Sequence, residues 1–483
     1  MTTSPTTNPM TKEMAVPAMT IGGRSVQGAG RFEVIDPATG RVIAQAPDAS
    51  GEQLDAAVRA AREALPAWAA RPRRERQGLL AEVAGVYMAN QEELARLLTK
   101  EQGKPLARAR SEVAVAAHWY AEFAKMELPE LVLQDTPQAY VAVRRVPVGV
   151  VGAMVPWNFP VVLAAWKIAP GLLTGNTMVL KPSPFTPLTT LRLGELLQAV
   201  LPPGVLNIVS GGEALGPRMS AHAGFDKLSF TGSSATGRAV MRSASGTLKR
   251  LTLELGGNDA AIVMPDVDVD AVAKALFWGA FVNSGQICIA AKRIYIHEAI
   301  YWRMAQAFVA LAASTRMGPG DAEGVELGPV QNRRQFDRLR ELLADCQQRG
   351  LRLLCGGEPV PGPGLFFPVT LVDNPPDDAR IVREEPFGPI LPLLKFRDVD
   401  EVIARANDSE FGLAGSVWCR DEALALGIAR RLETGTVWIN EIQTASPHKP
   451  MAGHKQSGLG VENGLEGLMS YTQPQTISLK RAG

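Results

Sequence analysis

The chain has 483 residues, which at about 150 residues per domain implies roughly three structural units and excludes one small domain. Hydrophobic residues make up 46% and charged ones 20%, the proportions of a soluble protein with a sizeable core, so wholesale disorder is excluded. With 50 basic and 49 acidic residues the formal charge is +1 with His neutral, too small to draw nucleic acid or an anionic membrane to the whole surface.

In chain order, residues 1–20 are rich in Thr, Ser, Pro and Met and lack the basic start and apolar run of a signal peptide. They read as a flexible tail on a protein of the reducing cytoplasm. Ser50 and Gln53 form a capping-box pattern, and Leu54, Val58, Ala61 and Leu65 recur at helical spacing, opening a helix-rich region that extends to about Met126. Residues 136–146 alternate and are partly β-branched without a strong apolar face, which predicts an exposed or intersubunit strand. The uncharged stretch 146–166 would pass for a membrane span but for Pro147, Pro156, Asn158 and Pro160, which argue for a buried strand, turn and helix.

From Val148 short apolar runs at 148–155, 177–180, 205–209 and 227–230 alternate with helical segments that start near Pro160 and Pro187 and cover 214–221. That is the rhythm of βαβ units with right-handed crossovers, hence an α/β fold with a parallel, nucleotide-binding sheet. A second α/β rhythm follows Glu254: a strand at 260–264, Asp266 as a helix cap, and a helix at 269–282 ending near Asn283. Cys288 therefore falls in a loop. A helix at 298–314, a Gly- and Pro-rich stretch at 356–364 and a strand at 435–439 come later, with no internal repeat.

Chemistry-bearing residues are few. The four cysteines, Cys288, Cys346, Cys355 and Cys419, show no Cys-x-x-Cys or Cys/His ligand spacing, so neither a metal site nor a disulfide framework is expected. Taken alone Cys288 reads as a small hydrophobe, but the flexible polar turn Asn283-Ser284-Gly285-Gln286 before it suits a thiol that must reach a substrate. Glu254 closes an apolar strand before Gly256-Gly257 and is either a partly desolvated base or a solvated strand end. Phe230-Thr231-Gly232-Ser233, between a strand and a helix, either offers amides to a pyrophosphate or is an ordinary turn; no Gly-x-Gly-x-x-Gly or Walker loop occurs.

Five separated segments nevertheless agree, in order and spacing, with one family: Pro156-Trp157-Asn158-Phe159-Pro160, Phe230 to Ser233, Glu254-Leu255-Gly256-Gly257, Gly285-Gln286-Ile287-Cys288, and Glu384-Glu385-Pro386-Phe387-Gly388-Pro389. From about residue 20 onward the chain resembles the aldehyde dehydrogenase superfamily, in its hydrolytic, non-CoA-acylating form. The resemblance implies an α/β fold: a modified Rossmann cofactor domain (21–135 and 148–253), an α/β catalytic domain (254–450), a small β arm for oligomerisation (136–147 and 472–481), and a C-terminal segment lining the site (451–471).

The resemblance implies roles as well. Cys288 matches the nucleophile, Glu254 the base that activates water, and Asn158, with the Cys288 N–H, the oxyanion donor. Glu462 and Lys167 match a second carboxylate and a relay partner, or serve as a structural ion pair. NAD or NADP would meet Pro156, Trp157, Lys181, Ser183, Pro184, Gly211, Phe230, Thr231, Gly232, Ser233, Leu255, Gly256, Glu385 and Phe387. Phe159, Trp166, Ile287, Ile289 and Met451 would line an apolar substrate channel without a carboxylate-binding Arg. Two departures stand out: Pro184 replaces a Glu common in NAD-preferring relatives, and Met451-Ala452 replaces a common Phe-Gly. The implied partners are an aldehyde and a second copy of the chain, as a homodimer or homotetramer, with no nucleic acid and no membrane. A CoA-acylating dehydrogenase, a cysteine esterase and a non-catalytic ligand-binding protein on the same fold are the rival readings.

Overall fold

A computed structural model describes residues 16–481. Five strands form the parallel centre of the first sheet, in the spatial order Leu206–Ile208, Thr177–Lys181, Val150–Met154, Lys227–Thr231 and Arg250–Glu254. They are the short apolar runs of the sequence, and the inner ones are buried along their length because crossover helices cover both faces. One of these, Pro160–Leu173, begins with its proline in the first turn and is buried at every residue. Antiparallel strands close both edges: Met19–Ile21 with Arg24–Val26 on one side, and Gly458–Leu459, paired with Leu253 and Glu254, on the other. The tail expected to reach residue 20 is therefore shorter, because Met19 and Thr20 already pair in this sheet; residues 1–15 of that expectation lie outside the described residues.

The N-terminal region supplies the helices Gly51–Ala70, Arg73–Ala89, Gln91–Gln102 and Leu106–Phe123. The capping box is realised at the first of them: Gln53 N–H donates to Ser50 Oγ at 3.2 Å and the Gln53 side chain accepts from Ser50 N–H at 3.0 Å. Such a cap contributes about 1 kcal/mol. No helix among the described residues is long and apolar enough to cross a membrane.

The second sheet runs Leu353–Cys355, Thr370–Asp373, Ile390–Phe396, Ala291–His297, Asp259–Val263, Ala414–Trp418 and Thr436–Ile439, parallel except for its first pair. Asp268, not Asp266, caps the helix Val269–Phe281, with its carboxylate accepting from Asp270 and Ala271 N–H. Asp266 instead accepts from Arg420 and Asp421 N–H, a tertiary contact that local spacing does not reveal. The later helix starts at Tyr301 rather than at 298.

The third sheet has three antiparallel strands. Thr472–Lys480 pairs with Ala139–Pro147 over all nine residues, and Leu131–Asp135 pairs with the other edge of Ala139–Pro147. Leu131–Asp135, expected with the cofactor domain, pairs instead in this sheet. A hairpin turn, in which Thr136 and Ala139 exchange backbone hydrogen bonds, folds Leu131–Asp135 back onto this sheet. All five of its residues are exposed, so no apolar alternation marks it in the sequence.

Candidate active site

Three chain segments converge where the two larger sheets meet. Glu254 is the last residue of its strand, Asn158 lies in the turn after Val150–Met154, and Cys288 lies in the loop before Ala291–His297. The turn ahead of Cys288 is not flexible. Asn283, Ser284 and Gly285 are buried in successive left-handed conformations, with φ of 54°, 56° and 73°. Left-handed non-glycine residues are held only where the surroundings over-determine them. Here Ser284 Oγ donates to Gly328 O at 2.7 Å, Gln286 Nε2 to Asn283 O at 2.8 Å, and Gln331 N–H to Gln286 Oε1 at 2.8 Å. Gly285 cannot be replaced, since a Cβ there would stand 2.4 Å from Gly388 O.

Asn158 is buried and its Nδ2 donates to Gln286 O at 3.1 Å. Its backbone carbonyl accepts from Asn283 Nδ2 at 3.1 Å and from Lys104 Nζ at 2.9 Å. Lys104 is ion-paired with buried Glu112, whose other oxygen accepts from Val161 and Val162 N–H at 3.0 and 3.3 Å. This buried pair fixes the Asn158 turn to the start of the following helix, where a carboxylate also complements the helix dipole. Sequence reasoning missed both residues, because they lie in the N-terminal helical region and only folding brings them beneath Asn158.

Glu254 is 3% exposed, and neither carboxyl oxygen has a hydrogen-bond partner among the described residues. Burial pushes this carboxyl up to about 8; the Cys288 thiol and Lys167 pull it down, and Glu462 and Glu385 push it further up. The solvated-strand-end alternative is thereby removed. The Cys288 thiol is half-buried and held well above the usual thiol range by burial and by Glu254. Cys346, Cys355 and Cys419 are free thiols elsewhere, and no group of three or more His, Cys, Asp or Glu able to hold a metal occurs among the described residues.

Lys167 and Glu462 are brought together at 2.6 Å, each almost wholly buried. Lys167 also donates to Ser229 Oγ at 3.1 Å, and the Tyr471 hydroxyl donates to the same Ser229 oxygen at 3.1 Å. Glu462 Oε2 remains without a partner among the described residues. Its backbone exchanges hydrogen bonds with Met451 at 2.7 and 2.8 Å, which ties one pocket candidate to the ion pair.

On the expected cofactor side, Trp157 and Phe387 meet edge to face at 5.3 Å. Glu385 Oε1 accepts from Gly257 N–H at 3.1 Å and pairs with Lys292 at 2.9 Å, a partner that sequence reasoning also missed although it follows Cys288 closely. Lys181 is buried; its ammonium donates to Pro182 O at 3.1 Å and has no carboxylate in ion-pair range among the described residues. Burial draws it down to about 8 against the pull of Asp48. Ser183 Oγ accepts from Phe185 N–H, leaving its own proton to donate, and half-buried Pro184 follows. Gly211 is buried beside Leu215 and Asp48. Phe230 and Thr231 end the strand, Gly232 N–H donates to Glu254 O at 3.1 Å, and Ser233 caps Ser234–Ala244 at the exposed helix start. Pro156 opens the Asn158 turn, and Leu255 with Gly256 continues from Glu254, Leu255 N–H donating to Ser457 O. An unpaired ammonium, a free hydroxyl and the N–H groups of a helix start form a donor set that fits a nucleotide with phosphates.

Trp166 stacks on Trp119 at 5.5 Å, and Trp119 Nε1 donates to Asn463 Oδ1 at 2.8 Å. Ile287, Ile289 and Met451 belong to the large apolar core around the first sheet, as Trp166 does, and Phe159 and Cys288 pack against it. Trp119 was missed, because in its helix it reads only as a core residue.

The profile described as "Aldehyde dehydrogenase family" matches residues 25–477. An aldehyde dehydrogenase of Fusarium is 40% identical over 461 residues, 95% of this chain and 98% of that protein. The succinate-semialdehyde dehydrogenase (NADP(+)) of Escherichia coli is 37% identical over 447 residues, 92% of this chain and 93% of that protein. The NAD+ complex of an aldehyde dehydrogenase from Bacillus cereus superposes with a TM-score of 0.94 at 34% identity, covering 96% of each chain.

Proposed function

The chain belongs to the aldehyde dehydrogenase family, and from that premise we propose that it oxidises an aldehyde to the carboxylic acid, with Cys288 as nucleophile and Glu254 as base. The observation that carries this reading is the buried Glu254 carboxyl beside the Cys288 thiol, the two groups shifting each other's ionisation. Glu254 takes the thiol proton and the thiolate adds to the aldehyde carbonyl, forming a tetrahedral adduct on sulfur. The second N–H of Asn158 Nδ2 and the Cys288 N–H stabilise the oxygen on which charge develops. The nicotinamide supplies, when bound, the acceptor for the hydride that leaves this adduct, which becomes a thioester on Cys288. Glu254 releases the thiol proton to solvent and then takes a proton from water as the water attacks the thioester; the acid leaves and the Cys288 thiolate is restored, to share the proton now on Glu254. The Lys167–Glu462 pair acts on Glu254 electrostatically and belongs to the same proton inventory.

Lys181, Ser183 and the helix start at Ser233 would hold the adenosine and phosphates, and Trp157, Glu385 and Phe387 the nicotinamide end. Pro184 leaves no acidic side chain at its own position, which supports use of NADP beside NAD. The stacked Trp119 and Trp166 with Ile287, Ile289 and Met451 support an aldehyde with an apolar body. The nearby Lys104 does not supply a free cation for a carboxylate, because Glu112 neutralises it. The exposed apolar strand Leu131–Asp135 and its sheet support pairing with another copy of this chain, and the four free thiols suit a reducing cytoplasm.

The test is the appearance of reduced nicotinamide with a panel of neutral, aromatic and carboxylated aldehydes. Free acid should form without CoA, and Cys288→Ala should abolish turnover. Turnover strictly dependent on CoA with release of acyl-CoA, or undiminished turnover in Cys288→Ala, overturns the reading.

A further inference from the structure

Lys292 lies four residues beyond Cys288 and is buried, with 3% of its side chain exposed. Its ammonium donates to the backbone carbonyl of Cys288 and pairs with Glu385 Oε1 at 2.9 Å. The same Glu385 oxygen accepts from Gly257 N–H, and a Cβ on Gly257 would stand 2.9 Å from the Cys288 carbonyl oxygen. The Phe387 ring closes the far side, 5.9 Å from the ammonium. The nucleophile's backbone, the glycine turn after Glu254 and the Glu385 carboxylate thus converge on one lysine that the proposed reaction leaves unused.

The charges around the Cys288 thiol explain what this cation can do. Glu254 faces it from the end of one strand and Asp259 from the start of another, and both oppose a thiolate; Lys292 opposes them. Glu385, paired with Lys292, and Lys167 with Glu462 stand one step further out, around Glu254. In a water-poor site a fixed ammonium acts far more strongly than in bulk water.

We propose that Lys292 is a positioning residue for the nucleophile: its ammonium, held by Glu385, fixes the Cys288 carbonyl and supplies the positive charge that favours the Cys288 thiolate over the thiol. This rests on the reading of Cys288 as the nucleophile. It also gives Glu385 a task beyond the nicotinamide ribose, that of keeping Lys292 in place.

The experiment is the rate of Cys288 alkylation by iodoacetamide in the cofactor-free protein from about pH 6 to 10, where the thiolate is the reacting form. Peptide mass spectrometry separates Cys288 from Cys346, Cys355 and Cys419. Lys292→Met should move the profile to higher pH by about one pH unit and so lower the rate near pH 8 about tenfold, in proportion to the thiolate present. Lys292→Arg, which keeps the charge, should recover most of that rate; Lys292→Gln, read on protein shown folded by its melting curve, should behave as Met does. A Lys292→Met or Lys292→Gln profile that superimposes on the parent overturns the proposal. The underlying reading fails separately, by aldehyde oxidation that persists in Cys288→Ala.

Discussion

The Cys288 thiol and the Glu254 carboxyl face each other across the junction of two sheets: burial raises both, the carboxylate further opposes ionisation of the thiol, and the thiol in turn pulls the carboxyl down. Once one proton leaves the pair, the remaining negative charge is costly to double, so the two groups hand a proton between them more readily than both ionise.

Replacing Glu254 by Gln keeps the shape of the side chain and removes the base. Thioester formation should slow less than its hydrolysis, so kcat should fall about 10²- to 10⁴-fold while an acyl adduct on Cys288 accumulates. Intact-protein mass spectrometry during turnover detects it; a lowered kcat without any adduct would place the defect before acylation.

The pH dependence follows from the burial of the base. With Glu254 raised to about 8, the base is mostly protonated at neutral pH, so kcat should rise with pH through about 8 and Glu254→Gln should lose that limb. Stability moves the opposite way. Glu101 and Asp259 are raised to about 7 and Glu254 to about 8, so the folded protein binds more protons than the unfolded chain between the ordinary carboxyl range and these values. That stabilisation is fully present below the unfolded values and is lost as pH rises through the folded ones. Tm should decline from about pH 5 toward pH 7, less steeply in Glu254→Gln, and flatten above that as buried Lys227 and Lys181, drawn down to about 7 and 8, offset the remaining carboxyl effect; a Tm that rises between about pH 5 and 7 contradicts the assignment.

The Lys167–Glu462 pair is buried on both sides. Glu462→Leu or Lys167→Met alone leaves one uncompensated charge and should cost about 3–5 kcal/mol in urea unfolding, while the double variant should cost less than either. Additive losses would show that the two side chains do not act as a unit.

Pro184→Glu places a carboxylate beside Lys181 and Ser183. It should lower kcat/KM for NADP at least tenfold more than for NAD, one tenfold step corresponding to about 1.4 kcal/mol of added repulsion. Equal effects on both cofactors would move the determinant elsewhere, with Asp48, the carboxylate acting on Lys181, as the next position to vary.

Much of this protein is legible in its sequence because local physics writes it there. Period-two and continuous apolar runs mark the strands Val150–Met154, Thr177–Lys181 and Lys227–Thr231, and Ser50 with Gln53 announces a helix start that the backbone then makes. The short segments around Asn158, Glu254, Cys288 and Glu385 name the family, since each is contiguous in the chain. What tertiary structure alone decides is everything that depends on partners distant in sequence. Lys104, in the loop between two N-terminal helices, and Glu112, on the second of them, support Asn158, Trp119 reaches Asn463 across the fold, and Leu131–Asp135 becomes a strand by pairing rather than by any apolar face. The turn before Cys288 looks flexible as a string of Asn, Ser and Gly, yet it is locked, because its buried polar groups must find partners and find them on Gly328, Gln331 and Asn158. The sequence determines which groups exist; burial and long-range pairing determine how readily Glu254 and Cys288 ionise.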